Sequence, residues 1–179
     1  MAAERIGVQM TDNEPSPTGA FAPPGHDHKA CIDEALDEAA ALCRKRGTRL
    51  TGTRQRILEL VWAGHRPVGA YELLATLGRD GRPAAPPTVY RALDFLVAQG
   101  LVHRIESLNA FVGCPAPGRP HRGQFLICRA CGASAELSDR RVERAIRRNA
   151  EEAGFSVEQS TVEILGLCPQ CAEGHGHAD

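Results

Sequence analysis

The sequence predicts an α+β chain of two small domains, a helical N-terminal domain closed by a β-hairpin and a smaller C-terminal α/β domain. Three observations carry this. Apolar residues recur at helical spacing in four successive segments before residue 100, and two alternating strand-like runs follow at once. Beyond the loop CPAPGRPHRG the pattern changes to short strands around one helix, with a CxxC pair at each end. A chain of 179 residues with 42% hydrophobic residues can fill two cores of this size.

Residues 1–28 are rich in Pro, Gly and Ala without periodicity and are expected to be a disordered tail. The first domain is expected over residues 29–113. Its first helix, CIDEALDEAAALCRKRG, places Ile32, Leu36, Ala39 and Cys43 on one stripe and stops at Gly47, while Cys31 lies off the stripe. Thr51 can cap a second helix, TRQRILELVWAG, with Ile57, Leu58 and Val61 inward. GAYELLATLGRDG gives a third, with Ala70, Leu73, Leu74 and Leu77 inward.

The fourth helix, PPTVYRALDFLVAQG, has prolines where a first turn tolerates them and Gly100 where a helix stops. Its inner face is expected to be Val89, Leu93, Leu96 and Val97, leaving Thr88, Arg91, Asp94 and Gln99 largely outward. A first turn bearing hydroxyl and guanidinium groups suits contact with phosphates and base edges in a DNA major groove. LVHRIES and AFVGC then read as two strands joined at Leu108 and Asn109, which completes the element order of a winged helix-turn-helix.

Residues 114–122 form the hinge loop, 123–172 the second domain and 173–179 a short polar tail. In the second domain QFLIC and SAEL read as strands, DRRVERAIRRNAEEAG as a helix with Val142, Ile146 and Asn149 on one side, and FSVEQSTVEILGLC as strand.

Net charge is only −1, but Arg44, Lys45, Arg46, Arg49, Arg54 and Arg56 follow one another with no acid among them. Such a run is either a solvated face or a phosphate-binding stripe. No window approaches 18 uncharged apolar residues and the N-terminus lacks a signal-type segment, so a cytoplasmic protein is expected. In a reducing compartment, paired cysteines favour metal over disulfides.

Cys128 and Cys131 form one hook and Cys168 and Cys171 the other. Two CxxC hooks complete a closed tetrahedral S₄ site that prefers zinc, structural because no position stays open. Four further candidates straddle the domain junction: His103, Cys114, His121 and Glu136. One thiolate, two imidazoles and a carboxylate make a complete zinc set, biased by sulfur away from Mn²⁺ or Mg²⁺. Taken alone, a strand His is more often a surface residue, a strand-end Cys more often core and a Glu beside a CxxC more often solvated. A zinc hydrolase is disfavoured, because a catalytic metal keeps an open position and no HExxH is present.

LTGTRQRIL, GAYELL, PPTVYRALDFLVAQGLVHRIES, CRACG and CPQC, from about residue 29 to 172, together resemble the Fur family of metal-dependent repressors, and within it the zinc-sensing members. The resemblance implies a winged-helix DNA-binding domain, a C-terminal dimerisation domain with a structural zinc, and zinc-dependent operator binding as a homodimer that represses zinc uptake genes. It implies that His103, Cys114, His121 and Glu136 are the sensing site, giving one structural and one regulatory Zn²⁺ per subunit. It also implies that Tyr71 and Arg91 lie near bases. Thr88 and Tyr90 stand beside Arg91, and Arg49 and Arg54 are the expected phosphate contacts. Iron-type members build the sensing site from His and carboxylate, so Cys114 separates zinc from the alternative of an iron, manganese or peroxide sensor. No small-molecule substrate, membrane partner or enzymatic activity is expected. Two positions depart from the family pattern: Gly52, where proline is common, and Gly69, where a capping Ser is common. His26, His28, His175 and His177 are read as polar tail residues.

Overall fold

The computed structural model describes residue 21, residues 28–118 and residues 123–174. Most of both predicted tails lies outside the described residues, as do His26, His121, His175 and His177. The first domain runs α1 (His28–Lys45), α2 (Gly52–Trp62), β1 (Val68–Gly69), α3 (Ala70–Arg79), α4 (Pro86–Ala98), β2 (Val102–Ile105), a 3₁₀ turn (Glu106–Leu108) and β3 (Ala110–Gly113). The second runs β4 (Gln124–Cys128), β5 (Ser134–Leu137), α5 (Arg140–Glu152), β6 (Val162–Gly166) and α6 (Pro169–Gly174).

The helical stripes pack as the periodicity requires. Ala39, Cys43, Ile57, Leu58, Val61, Leu73, Leu77, Val89, Leu93 and Leu96 form one core, with Leu36 and Leu74 half-buried at its rim. α4 corrects one expectation: Val97 is 40% exposed and Ala92 is buried in its place. At 100° per residue Val97 falls just outside the arc that Val89, Leu93 and Leu96 define. His28 is likewise not a tail residue. It opens α1, and its ring lies 4.7 Å from that of His65. Cys31 is half-buried.

Thr51 caps α2, its hydroxyl accepting the Arg54 N–H. Gly52 follows at the first helical position, where no intrahelical N–H is needed, and a Cβ there meets open space. Thr51, at φ −74° and ψ 161°, already has the extended backbone that precedes proline. Gly52→Pro is therefore expected to stabilise the protein by about 0.4–1 kcal/mol, read as a rise in melting temperature, by restricting the unfolded chain.

The wing is a three-stranded sheet in the order β1–β3–β2, with His103 opposite Val112 and Ile105 opposite Ala110. The short β1 is invisible to periodicity because two residues have none. Asn109 turns the hairpin in the left-handed region (φ 46°), where Asn is among the best-tolerated non-glycine residues. A side chain on Gly113 would overlap the Trp62 ring, so glycine there lets β3 lie against α2.

The second sheet has the order β5–β4–β6, with β4 antiparallel to β5 and parallel to β6. Strand begins only at Val162, not at Phe155 as the sequence pattern suggested. On α5, Val142 and Ile146 are half-buried but Asn149 is exposed, with its amide returned to the Ala145 carbonyl. Asp139 caps α5 and bonds Arg141, whose guanidinium holds the Asp139 carboxyl down at about 2.

The two sheets meet. Ile105 of the wing packs with Phe125 and Ile127 of β4 in a shared apolar seam, flanked by Val112. The Ser134 N–H donates to the His65 carbonyl at 2.8 Å, docking the start of β5 on the loop after α2.

Candidate metal centres and nucleic-acid interface

The first centre is built by parallel pairing. β4 ends at Cys128, which lies opposite Gly166 of β6, two residues before Cys168, so the two hooks begin side by side. Each hook is one turn closed on its first cysteine: Gly132 N–H donates to the Cys128 carbonyl and Ala172 N–H to the Cys168 carbonyl, both at 2.9 Å. Gly132 then takes φ 76°, a left-handed value that favours glycine, to lead into β5. The result brings all four sulfurs within 4.8 Å of one another, with Cys131 Sγ and Cys168 Sγ 3.8 Å apart. A tetrahedron with Zn–S bonds of about 2.3 Å has edges of about 3.8 Å, so these residues fit a zinc ion.

Their electrostatics agree. Backbone hydrogen bonds from Cys168 and Cys131 pull the Cys128 thiol down to about 6. Cys171, hydrogen-bonded by the Cys168 and Cys131 side chains and crowded by the same cluster, is pushed up to about 12. Four sulfurs this close cannot all be thiolates without a cation among them.

The second centre spans the domain junction. His103 comes from β2, Cys114 from the residue after β3, and Glu136 from β5, opposite Phe125. One atom of each lies within 4.8 Å of the others, and His103 Nε2 stands 3.3 Å from Glu136 Oε2. Nitrogen and oxygen ligands at about 2.0 Å from a tetrahedral zinc are separated by about 3.3 Å. Both Glu136 carboxylate oxygens are buried, and the Phe125 ring packs 5.3 Å from the His103 ring. Burial pushes the Cys114 thiol up to about 12, with the Glu136 and Glu38 charges adding to it against a backbone hydrogen bond from Ala116. Such a thiol keeps its proton near neutral pH unless a cation displaces it. The donor set of sulfur, nitrogen and oxygen fits zinc. His121, the fourth candidate, lies outside the described residues.

In the first domain, Tyr71 near the start of α3 is 76% exposed, and Thr88, Tyr90 and Arg91 are exposed on the first two turns of α4. Arg91 Nε donates back to the Pro87 carbonyl at 3.2 Å, which holds its guanidinium along the helix start. The basic run divides. Arg44, Lys45 and Arg49 are exposed, whereas Arg46 bonds Gln99, and Arg56 pairs with Glu59 and Asp80. Arg54 stacks 3.4 Å from the Phe95 ring centroid and donates to the Arg49 carbonyl, thereby fixing the backbone that carries the exposed Arg49 side chain. The sequence pattern did not reveal Phe125 as the support of His103, nor α6 as the seat of Cys171. Phe125 reads only as one apolar residue of a strand, and a six-residue helix has too few turns to show a period.

Comparison with known proteins gives a consistent result. Residues 45–165 match the model of the ferric uptake regulator family. The zinc uptake regulation protein of Escherichia coli (strain K12) is 39% identical over 146 residues, covering 81% of this chain and 85% of that protein. The solved structure of a zinc uptake regulator complexed with zinc and DNA is 39% identical, covers 80% of this chain and 96% of its own, and superposes with a TM-score of 0.75. The holo form of XcZur is 43% identical, covers 79% and 99%, and gives 0.72.

Proposed function

The chain belongs to the ferric uptake regulator family, and from that premise we propose that it is a zinc-responsive transcriptional repressor, which binds operator DNA as a zinc-loaded homodimer and represses zinc uptake genes. The observation that carries the metal assignment is the buried Cys114 thiol within ligand distance of His103 and Glu136. Sulfur in the sensing set favours zinc over manganese and iron. Two of the relatives named above are zinc uptake regulators, one of them complexed with zinc and DNA.

Two zinc ions per subunit fit the donors. Cys128, Cys131, Cys168 and Cys171 hold the structural one, and His103, Cys114 and Glu136, completed by His121 from the hinge, hold the regulatory one. Bound there, zinc supplies one Lewis-acidic centre with ligands from both domains. His103 and Cys114 lie at the base of the wing hairpin and Glu136 on the second sheet, so these side chains can share a metal only when the wing is seated on that sheet. Ligand bonds realised in one arrangement alone shift the population towards it. The seated wing fixes α4 relative to the second domain, and a dimer then presents two recognition helices at one spacing.

Dimerisation uses the second domain. β6 is a sheet edge whose Ile164 and Leu165 expose apolar surface, and Phe155 after α5 is exposed as well, the last two at 61% and 65%. We take residues 29–113 as the DNA-binding unit and 123–172 as the dimer unit, with residues 114–122 as the hinge. No described helix is long and apolar enough to cross a membrane, and we place the protein in the cytoplasm. Four protein ligands at each metal leave no position for a substrate or attacking water, so the protein is not an enzyme.

Tyr71, Thr88, Tyr90 and Arg91 read the operator, while Arg49, steadied by Arg54, contacts phosphate. Titration of operator binding against zinc, iron and manganese tests the function. Tight binding is expected at the lowest free concentration of zinc, and an equal or stronger response to iron or manganese would overturn the zinc assignment. With zinc saturating, Arg91→Ala should cost about 1–3 kcal/mol on operator but little on scrambled duplex. Arg49→Ala should weaken both alike and lower the salt slope by about one. Equal losses on both duplexes for Arg91→Ala would make it a backbone contact.

A further inference from the structure

We propose that Glu163 is a positioning residue that tethers the wing tip to the second sheet and so sets how much zinc is needed to hold the wing seated. This rests on the zinc-responsive reading above. Glu163 is the second residue of β6 and lies in register with Phe125 of β4. Its carboxylate crosses to the other domain, where Oε1 accepts the Glu106 N–H at 2.7 Å and Oε2 accepts the Ser107 N–H at 3.2 Å. These two amides open the 3₁₀ turn at the tip of the wing, and the first amides of a helical turn have no acceptor within it.

The bonds are charge-assisted. Burial pushes the Glu163 carboxyl up, but hydrogen bonds from the Ser107 side chain and the Glu106 and Ser107 backbone outweigh it and hold the group below the usual carboxylate range. The tethered turn follows directly on Ile105, which packs on Phe125, and Phe125 in turn lies against the ring of His103. Glu163 therefore acts on the distance between His103 and Glu136 through β2 and Phe125. Beside the tether a cleft of about 890 Å³ opens between α4, the wing and residues 158–161, giving a released wing room to move. A tether and a metal that both favour one seated state reinforce each other, because each lowers the cost of reaching it for the other.

The test uses the full chain with its structural zinc in place and the variants Glu163→Gln and Glu163→Ala. Before regulatory zinc is added, the Glu106 and Ser107 amides should exchange hydrogen faster in both variants than in wild type. The zinc concentration giving half-maximal operator binding should rise by about tenfold for Glu163→Ala, and by less for Glu163→Gln, which keeps an acceptor but not the charge. Operator affinity at saturating zinc, structural zinc content and melting temperature should stay near wild type. A residue that merely stabilised the wing would not move the zinc midpoint. Unmoved midpoints overturn the tether, as does operator binding that saturating zinc fails to restore. If Glu163→Ala does not fold, the isosteric Glu163→Gln decides alone. Wild-type protein indifferent to zinc would overturn the functional reading with the tether, whereas a responsive wild type beside unmoved variants overturns the tether only.

Discussion

Serine in place of Cys128 or Cys171 is expected to unfold the second domain and dissociate the dimer. Residues 123–172 have little core of their own. Phe125, Ile127 and Ala135 are buried with Cys128 and Cys168, and α5 contributes no buried residue. At about 1.5–3 kcal/mol for each large apolar side chain, that core cannot offset the ordering of some fifty residues at 1 kcal/mol or more each. Zinc in a Cys₄ site contributes an apparent folding free energy of roughly 10–16 kcal/mol, comparable to the whole stability of an ordinary domain. Loss of one hook should therefore remove one zinc per subunit, abolish the dimer in sedimentation and leave only the melt of the helical domain, whose core is separate. A wild-type melt with an intact dimer would show that the four sulfurs hold no structural metal.

The same substitution at Cys114 is expected to do something different. The Cys114 side chain is buried, and serine is close to it in size, so the fold, the structural zinc and the dimer should survive. What is lost is the thiolate. Removing even an outer partner of a metal ligand commonly costs 10–100-fold in affinity, so losing a ligand itself should raise the zinc requirement for operator binding by about a hundredfold or more. Fluorescence anisotropy of labelled operator across a buffered zinc series reads this directly. A wild-type midpoint in the Cys114→Ser variant would make Cys114 an ordinary core residue, with His103 and Glu136 no more than polar neighbours 3.3 Å apart.

The contrast between these two cysteine substitutions was legible in the amino-acid string to different degrees. CxxC hooks are local, because two residues between the cysteines allow a single turn whatever surrounds it, and both turns close as expected. Cys114 has no such local signature. Its meeting with Glu136 depends on two registers and a seam at once: Val102 opposite Gly113 in the wing, Phe125 opposite Glu136 in the second sheet, and Ile105 packed on Phe125 between them.

The sequence by itself determined the four helices of the first domain, the wing that follows them and the Cys₄ hooks, since apolar periodicity, caps and ligand spacing are short-range properties of the chain. Thr51 as a cap and Cys43 as core follow from that information alone. Only the tertiary structure decided which members of the basic run stay free. Arg46, Arg54 and Arg56 are engaged by Gln99, Phe95 and Asp80, all from other helices or loops. It also decided that Val97 faces outward, that β6 pairs in parallel beside β4, and that Glu163 reaches the wing tip. The physical reason is common to these cases. A residue's own spacing fixes the face it occupies, but its partner is fixed by the register of an element far along the chain, and no local pattern records that register.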